Sequence, residues 1–123
     1  MTLKNLTPED ARIILEGARE KVSSPDRWIK GTSSCWGDNV TRYCVVGALS
    51  VATAERFTID YSDFNMAIQA DEAYSELYKF VVKANWDIVG DYFNIPAWND
   101  AQSREHPEVL DLFDKTIKAV AEL

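Results

Sequence analysis

Cys44, His106 and the adjacent pair Asn99-Asp100 are the residues of this chain whose types could carry covalent chemistry. A cysteine thiolate attacks, an imidazole moves the proton, and a carboxylate or amide orients the imidazole. Cys44 is expected near the start of a helix, at its third position if Thr41 is the cap. Unpaired backbone N–H groups and the helix dipole at that place lower a thiol pKa. The candidate catalytic set is therefore Cys44 as nucleophile, His106 as base and Asp100 or Asn99 as orienter. The plainer alternative makes Cys44 a small buried hydrophobe of an apolar helix and His106, directly before Pro107, a surface N-cap.

Other chemistries find less support. A zinc site would need Cys35, Cys44, His106 and a carboxylate, yet no C-x2-C or H-x3-H pair anchors one, so no metal is expected. Cys35-Trp36 lacks the surrounding glycine pattern of papain-like enzymes. Asp71, Glu72 and Glu76 bring carboxylates to one helical turn without the E-x-x-H partner of carboxylate-bridged metals, and read better as a solvated face. Phosphate-binding glycine loops and the G-x-S-x-G elbow are absent, and no cofactor is expected. Four tryptophans stand in the chain, and Trp28, Trp36 and Trp98 fall in or beside loops. Large rings there either plug a core or line a pocket, so Trp28, Trp36, Trp98 and Asn99 form the candidate ligand-binding set. In the alternative, Asn99 and Asp100 tie a turn through side-chain to backbone hydrogen bonds.

The chain has 123 residues, of which 46% are hydrophobic and 27% charged, as in soluble globular proteins of one domain, and the whole of residues 1–123 is read as that domain. Thirteen basic against twenty acidic residues give a net charge of −7, which disfavours a nucleic-acid partner. Residues 1–61 carry eight of each sign, so the excess lies in residues 62–123, with five basic and twelve acidic. No leader or membrane-spanning run is apparent, and two cysteines make no disulfide framework, so a reducing, cytoplasmic setting is expected. The expected partner is a protein or a small-molecule ligand.

The elements that must position these residues read as helices. Thr7-Pro8-Glu9-Asp10 starts the first, with Ala11, Ile14, Leu15, Ala18 and Val22 on its buried stripe, and Ser23-Ser24-Pro25 stops it. Asp26 to Lys30 suggests one or two turns carrying Trp28 inward. Tyr43 to Ala54, apolar on nearly every side and rich in small residues, predicts a central helix, with strand the competing reading near Val45-Val46. Residues 56–63 form a connector, extended around Thr58 and Ile59. A long helix follows from Phe64 to Ala84, with Met66, Ala70, Ala73, Tyr74, Leu77, Tyr78 and Val81 on one face. Asn85 to Phe93 suggests a separate short helix, and Ile95 to Asp100 a proline-fixed loop. Pro107 opens the last helix at its first position, with Val109, Leu110, Phe113, Ile117 and Val120 as its stripe. The sum is a compact all-α domain of about four main helices, with short helical turns and two longer loops, 28–42 and 94–106, converging where the helix from Tyr43 begins.

Four pieces in this order resemble a family of small uncharacterised proteins from bacteria and their phages: Trp28-Ile29-Lys30-Gly31, Tyr43-Cys44-Val45-Val46-Gly47-Ala48-Leu49, Trp98-Asn99-Asp100, and Val109 to Ile117. In that family the pattern is similar to a W-x-x-G turn, a [WFY]-C-x-x-G-A-L helix, a W-N-D loop and a closing amphipathic helix. One departure is visible, since Glu105-His106 stand where the family often places a Thr or Ser cap. The resemblance implies a shared fold and a bacterial or phage origin, with no assigned activity. The leading functional expectation is a non-enzymatic binding or regulatory module, and the alternative a cysteine-dependent hydrolase or transferase.

Overall fold

A computed structural model describes residues 8–30, 42–56, 72–90 and 94–122. Thr7, Cys35, Trp36, Thr41, the connector 57–63 and the expected helical positions 64–71 lie outside these residues. The elements in chain order are α1 (Pro8–Lys21), a 3-10 turn (Pro25–Arg27), α2 (Val45–Arg56), α3 (Glu72–Val89), α4 (Ile95–Asn99) and α5 (His106–Ala121). Among the described residues there is no strand, only an isolated parallel bridge between Trp28 and Tyr43. The fold is all-α, as its periodicities imply.

α1 begins at Pro8 with Glu9 and Asp10 in its first turn, and Ala11, Ile14, Leu15 and Ala18 form its buried stripe. Val22 continues that stripe into the core. α2 is the centre of the molecule: nine of its residues, from Val45 to Ala54, are buried. Small side chains let α1 and α3 approach it closely. Its two buried hydroxyls are satisfied locally, Ser50 Oγ on the Val46 carbonyl at 2.8 Å and Thr53 Oγ1 on the Leu49 carbonyl at 2.7 Å. α5 packs on α1 and α3, burying Val109, Leu112, Phe113, Thr116 and Val120. Leu110 and Ile117 of its expected stripe are only half-buried, because the face turns slightly toward Leu112 and Thr116.

Several boundaries differ from expectation, each for a tertiary reason. α2 starts at Val45 and not at Tyr43. The Tyr43 N–H donates to the Arg27 carbonyl at 2.7 Å and its own carbonyl accepts from Ile29 N–H at 3.1 Å, so Tyr43 is held extended. Cys44 therefore precedes the helix instead of occupying its third position. α3 runs without a break through Asn85, and no separate helix begins there. The Asn85 side chain turns into the core and gives a hydrogen bond to Thr116 Oγ1 at 3.3 Å, so it does not compete with the helix backbone. α3 stops where Gly90 adopts a left-handed φ of 81°.

Ile95–Asn99 is a short helix where a loop was expected. Asn94 Oδ1 accepts the Ala97 N–H at 2.8 Å, and Pro96 sits in the first turn, where its missing N–H costs nothing. At the last helix the cap is Glu105, so His106 occupies the first helical position instead of the cap. The Glu108 carboxylate reaches back to the Glu105 N–H at 2.8 Å, the reciprocal half of a capping box.

Candidate functional site

The described parts of the two expected loops, residues 28–30 and 94–106, approach one another at the start of α2, and the residue at the meeting point is Asn99. Its side chain is fully buried. Oδ1 accepts from Trp28 Nε1 at 2.8 Å and from the Val45 N–H at 3.1 Å. Nδ2 donates to the Ile29 carbonyl at 3.0 Å and to Asp100 Oδ1 at 2.9 Å. One amide thus makes four hydrogen bonds, using both donors and both lone pairs of its oxygen. It ties the 3-10 turn, the first N–H of α2 and the end of α4 to one point.

The surroundings reinforce this convergence. Lys30 Nζ lies 5.5 Å from the centre of the Trp28 ring and donates to the Ala101 carbonyl at 2.9 Å. Trp98 is buried, and Arg104 stacks on its ring at 3.9 Å while its Nε donates to the Trp98 carbonyl at 3.0 Å. The Arg104 side chain, only 10% exposed, also pairs with Glu108 at 2.8 Å. The Glu105 N–H and, less strongly, the Arg104 charge hold the Glu108 carboxyl below the usual carboxylate range.

His106 enters from the other side. Its Nε2 lies 2.7 Å from the Val22 carbonyl, an acceptor, so that nitrogen carries the proton and donates. Its ring is 6.2 Å from that of Trp28, tilted by 50°. Cys44 is half-buried and sits in the cap position of α2, where its Sγ accepts the Gly47 N–H at 3.3 Å. Beyond it, the Tyr78 hydroxyl shares a 3.1 Å hydrogen bond with Ser50 Oγ. Burial pushes the Tyr78 pKa up, and the charge of a Cys44 thiolate adds to this against the opposing Ser50 bond.

Of the sequence-derived candidates, Trp28, Asn99, Asp100 and Trp98 are gathered in one cluster, with His106 against its edge. Cys44 adjoins it through Val45. The imidazole nitrogen that donates faces the Val22 carbonyl and not the thiol. Trp36 lies outside the described residues, and among those residues no group of three or more His, Cys, Asp or Glu side chains converges as metal ligands would. No described helix is long and apolar enough to cross a membrane.

Sequence reasoning missed two features. Lys30 and Arg104 clamp the loops, and nothing in their spacing announces it. The other is the outer face of α3, where Tyr78, Val82 and Trp86 recur every four residues beside Lys79, Lys83 and Asp87. These side chains and Gly90 line an open depression of about 810 Å³, and Trp86 is 45% exposed. The four-residue spacing was legible, but ending the helix at Ala84 hid it.

The fold and its central amide thus define a small all-α protein in which Trp28-Ile29-Lys30, the start of α2 and Trp98-Asn99-Asp100 are interlocked. The chain belongs to the family of unknown function DUF6197, whose family model matches residues 6–119. No curated protein and no solved structure matches it.

Proposed function

We propose that this protein is a non-enzymatic binding module that engages a partner through the outer face of α3. The observation that carries the reading is the contrast between its two conspicuous regions. The polar groups that a catalytic set would use are engaged within the chain, Asn99 by four hydrogen bonds and His106 Nε2 by the Val22 carbonyl. The α3 face instead leaves a large aromatic side chain 45% exposed beside an open depression. Exposed aromatic surface rimmed by charge is the usual mark of an interaction site. In this reading Trp28, Asn99 and Trp98 hold the fold, and a ligand contacts the molecule elsewhere. The acidic charge disfavours nucleic acid, and the cysteine composition and the motif resemblance support a cytoplasmic, bacterial or phage setting. The test is chemical crosslinking and capture with wild type, Trp86→Ala and Cys44→Ser. Loss of the captured species in Trp86→Ala alone supports the module. Equal capture by all three chains overturns it.

A second reading is favoured by the Gly47 N–H bonded to Cys44 Sγ at 3.3 Å, a geometry that stabilises a thiolate. A cysteine-dependent hydrolase or transferase would use Cys44 as nucleophile and His106 as base through its Nδ1, with the Val22 carbonyl on Nε2 in the orienting place expected of Asp100 or Asn99. Alkylation of Cys44 from pH 5 to 9 tests it. Rapid labelling well below its ordinary pKa of about 8.5, with Cys44-dependent cleavage of an activated ester, supports this reading. Labelling only after unfolding removes it.

A further inference from the structure

The α3 face has a symmetry that points to its occupant. Along α3, Val82 and Trp86 form the apolar centre of the depression, Tyr78 and Gly90 its two ends, and Lys79, Lys83 and Asp87 one flank. Trp86, Lys79, Lys83 and Asp87 are all exposed. Lys83 pairs with Asp87 one turn away at 2.9 Å, whereas no ion pair engages Lys79 among the described residues.

We infer that this face pairs with a second copy of the same chain, α3 against α3 in antiparallel, about a two-fold axis level with Ala84. Helix geometry then dictates the register. A residue as far above Ala84 in one helix meets a residue as far below it in the other. Val82 lies opposite the partner's Trp86, and Tyr78, whose hydroxyl is held inward on Ser50, stands level with the partner's Gly90. The indole of the partner's Trp86 enters the hole formed by Lys79, Val82, Lys83 and Trp86, which have the i, i+3, i+4, i+7 spacing of a knob-into-hole contact. One flat face rests on Val82, and the aliphatic stems of Lys79 and Lys83 cover its border while their ammonium groups stay in water.

The charges agree with the same axis. A two-fold axis of this orientation keeps the charged flanks of both helices on the same side. It brings the partner's Asp87 to a level between Lys79 and Lys83, so the cation that no ion pair engages gains a carboxylate and Asp87 gains a second cation. A parallel pairing would instead put the two charged flanks on opposite sides of the seam. Apolar area meets apolar area and opposite charges meet, which is what an isologous interface requires of one surface patch. The contact covers about three turns of a single helix pair and buries well under the roughly 1,600 Å² of a standard stable interface. The dimer is therefore weak, with a dissociation constant on the order of 100 µM.

This inference rests on the binding-module reading and names its partner. The experiment is sedimentation equilibrium of the full chain from about 10 µM to about 1 mM, with three sets of surface variants. Wild type is expected to rise with concentration from 13.9 kDa toward twice that mass. Trp86→Ala raises the dissociation constant at least about tenfold, as the loss of a central aromatic anchor does. The double variant Lys79→Glu/Lys83→Glu and the single variant Asp87→Lys each remain monomeric alone, because each sets like charges against one another. Their equimolar mixture dimerises, because each chain then supplies the charges that the other needs. A wild type monomeric throughout, a dimer indifferent to Trp86→Ala, or a mixture no more associated than its components would overturn the pairing. If Trp86→Ala still loses a captured partner of a different kind in the crosslinking experiment, the binding module stands and only the self-pairing falls. If neither measurement responds to Trp86, both fall.

Discussion

Replacing Asn99 by alanine should destabilise this protein more than almost any other single polar change. The substitution removes the acceptor of the Trp28 indole N–H and of the Val45 N–H, and the donor to the Ile29 carbonyl. The Val45 bond is the most consequential, because that N–H is among the first of α2, has no partner inside the helix, and is buried. A buried donor or acceptor left without a partner costs roughly 1–3 kcal/mol, while the half-buried Trp28 and Ile29 groups recover part of their loss from water. The total is about 3–5 kcal/mol, a large fraction of the roughly 5–15 kcal/mol that stabilises a typical domain. Urea unfolding followed by far-ultraviolet circular dichroism and tryptophan fluorescence reads this as a lower midpoint at unchanged slope. Asn99→Asp provides the control of mechanism. It keeps the two acceptor bonds but turns a carboxylate oxygen toward the Ile29 carbonyl and the Asp100 carboxylate, so its folded-state pKa is raised above the unfolded value of about 3.9. The folded state then binds more protons, and stability must rise as pH falls toward that value and fall as pH rises above it. An Asn99→Ala loss below about 1 kcal/mol, or an Asn99→Asp variant with no such pH dependence, would refute the account of Asn99 as the tie between loops and helix.

Three further outcomes follow from the geometry. Gly17→Ala should stabilise the chain by about 0.5–1 kcal/mol in thermal or urea unfolding, since a Cβ there meets the Ala52 Cβ at an ordinary 3.6 Å and alanine is the better helix former. Glu108 is held below its ordinary pKa mainly by the Glu105 N–H, so its contribution is present in full above about pH 4.3 and is lost as pH falls through the lower folded value. Glu108→Gln keeps a side-chain acceptor for the same N–H, and its stability should be flatter than wild type across that acidic window in a series of urea midpoints. Asn85 Oδ1 is buried with no hydrogen-bond partner among the described residues, so the double change Asn85→Leu/Thr116→Val should leave the unfolding free energy within about 1 kcal/mol of wild type or raise it. Asn85→Ala alone, which adds a cavity, should lower it by more.

Most of the secondary structure is local physics, and it was legible for that reason. α1 and α5 declare themselves by proline in the first turn, acids at the positive end of the dipole and an apolar stripe, all of which operate within a few residues. The small-residue helix α2 could be recognised as central because only a helix surrounded by neighbours can be apolar all round. Where the reading failed, distant residues overrode near ones. Tyr43 looks helical by its neighbours but is pinned extended by Arg27 and Ile29. Asn85 looks like a helix boundary but is a core residue facing Thr116. His106 looks like a cap, yet the cap is Glu105.

The same division holds for the candidate site. Sequence alone marked Trp28, Cys44, Trp98, Asn99, Asp100 and His106 as unusual, because rings and polar groups in loops are costly unless something engages them. It determined the helical class, the acidic second half and the set of residues worth attention. What engages them was decided only by tertiary structure. Hydrogen bonds reaching from Asn99 to Trp28, seventy-one residues away, and to Val45, fifty-four away, have no signature in local spacing. Nor has the exposure of Trp86, since whether a helix face is covered depends on what packs against it and not on the residues that compose it.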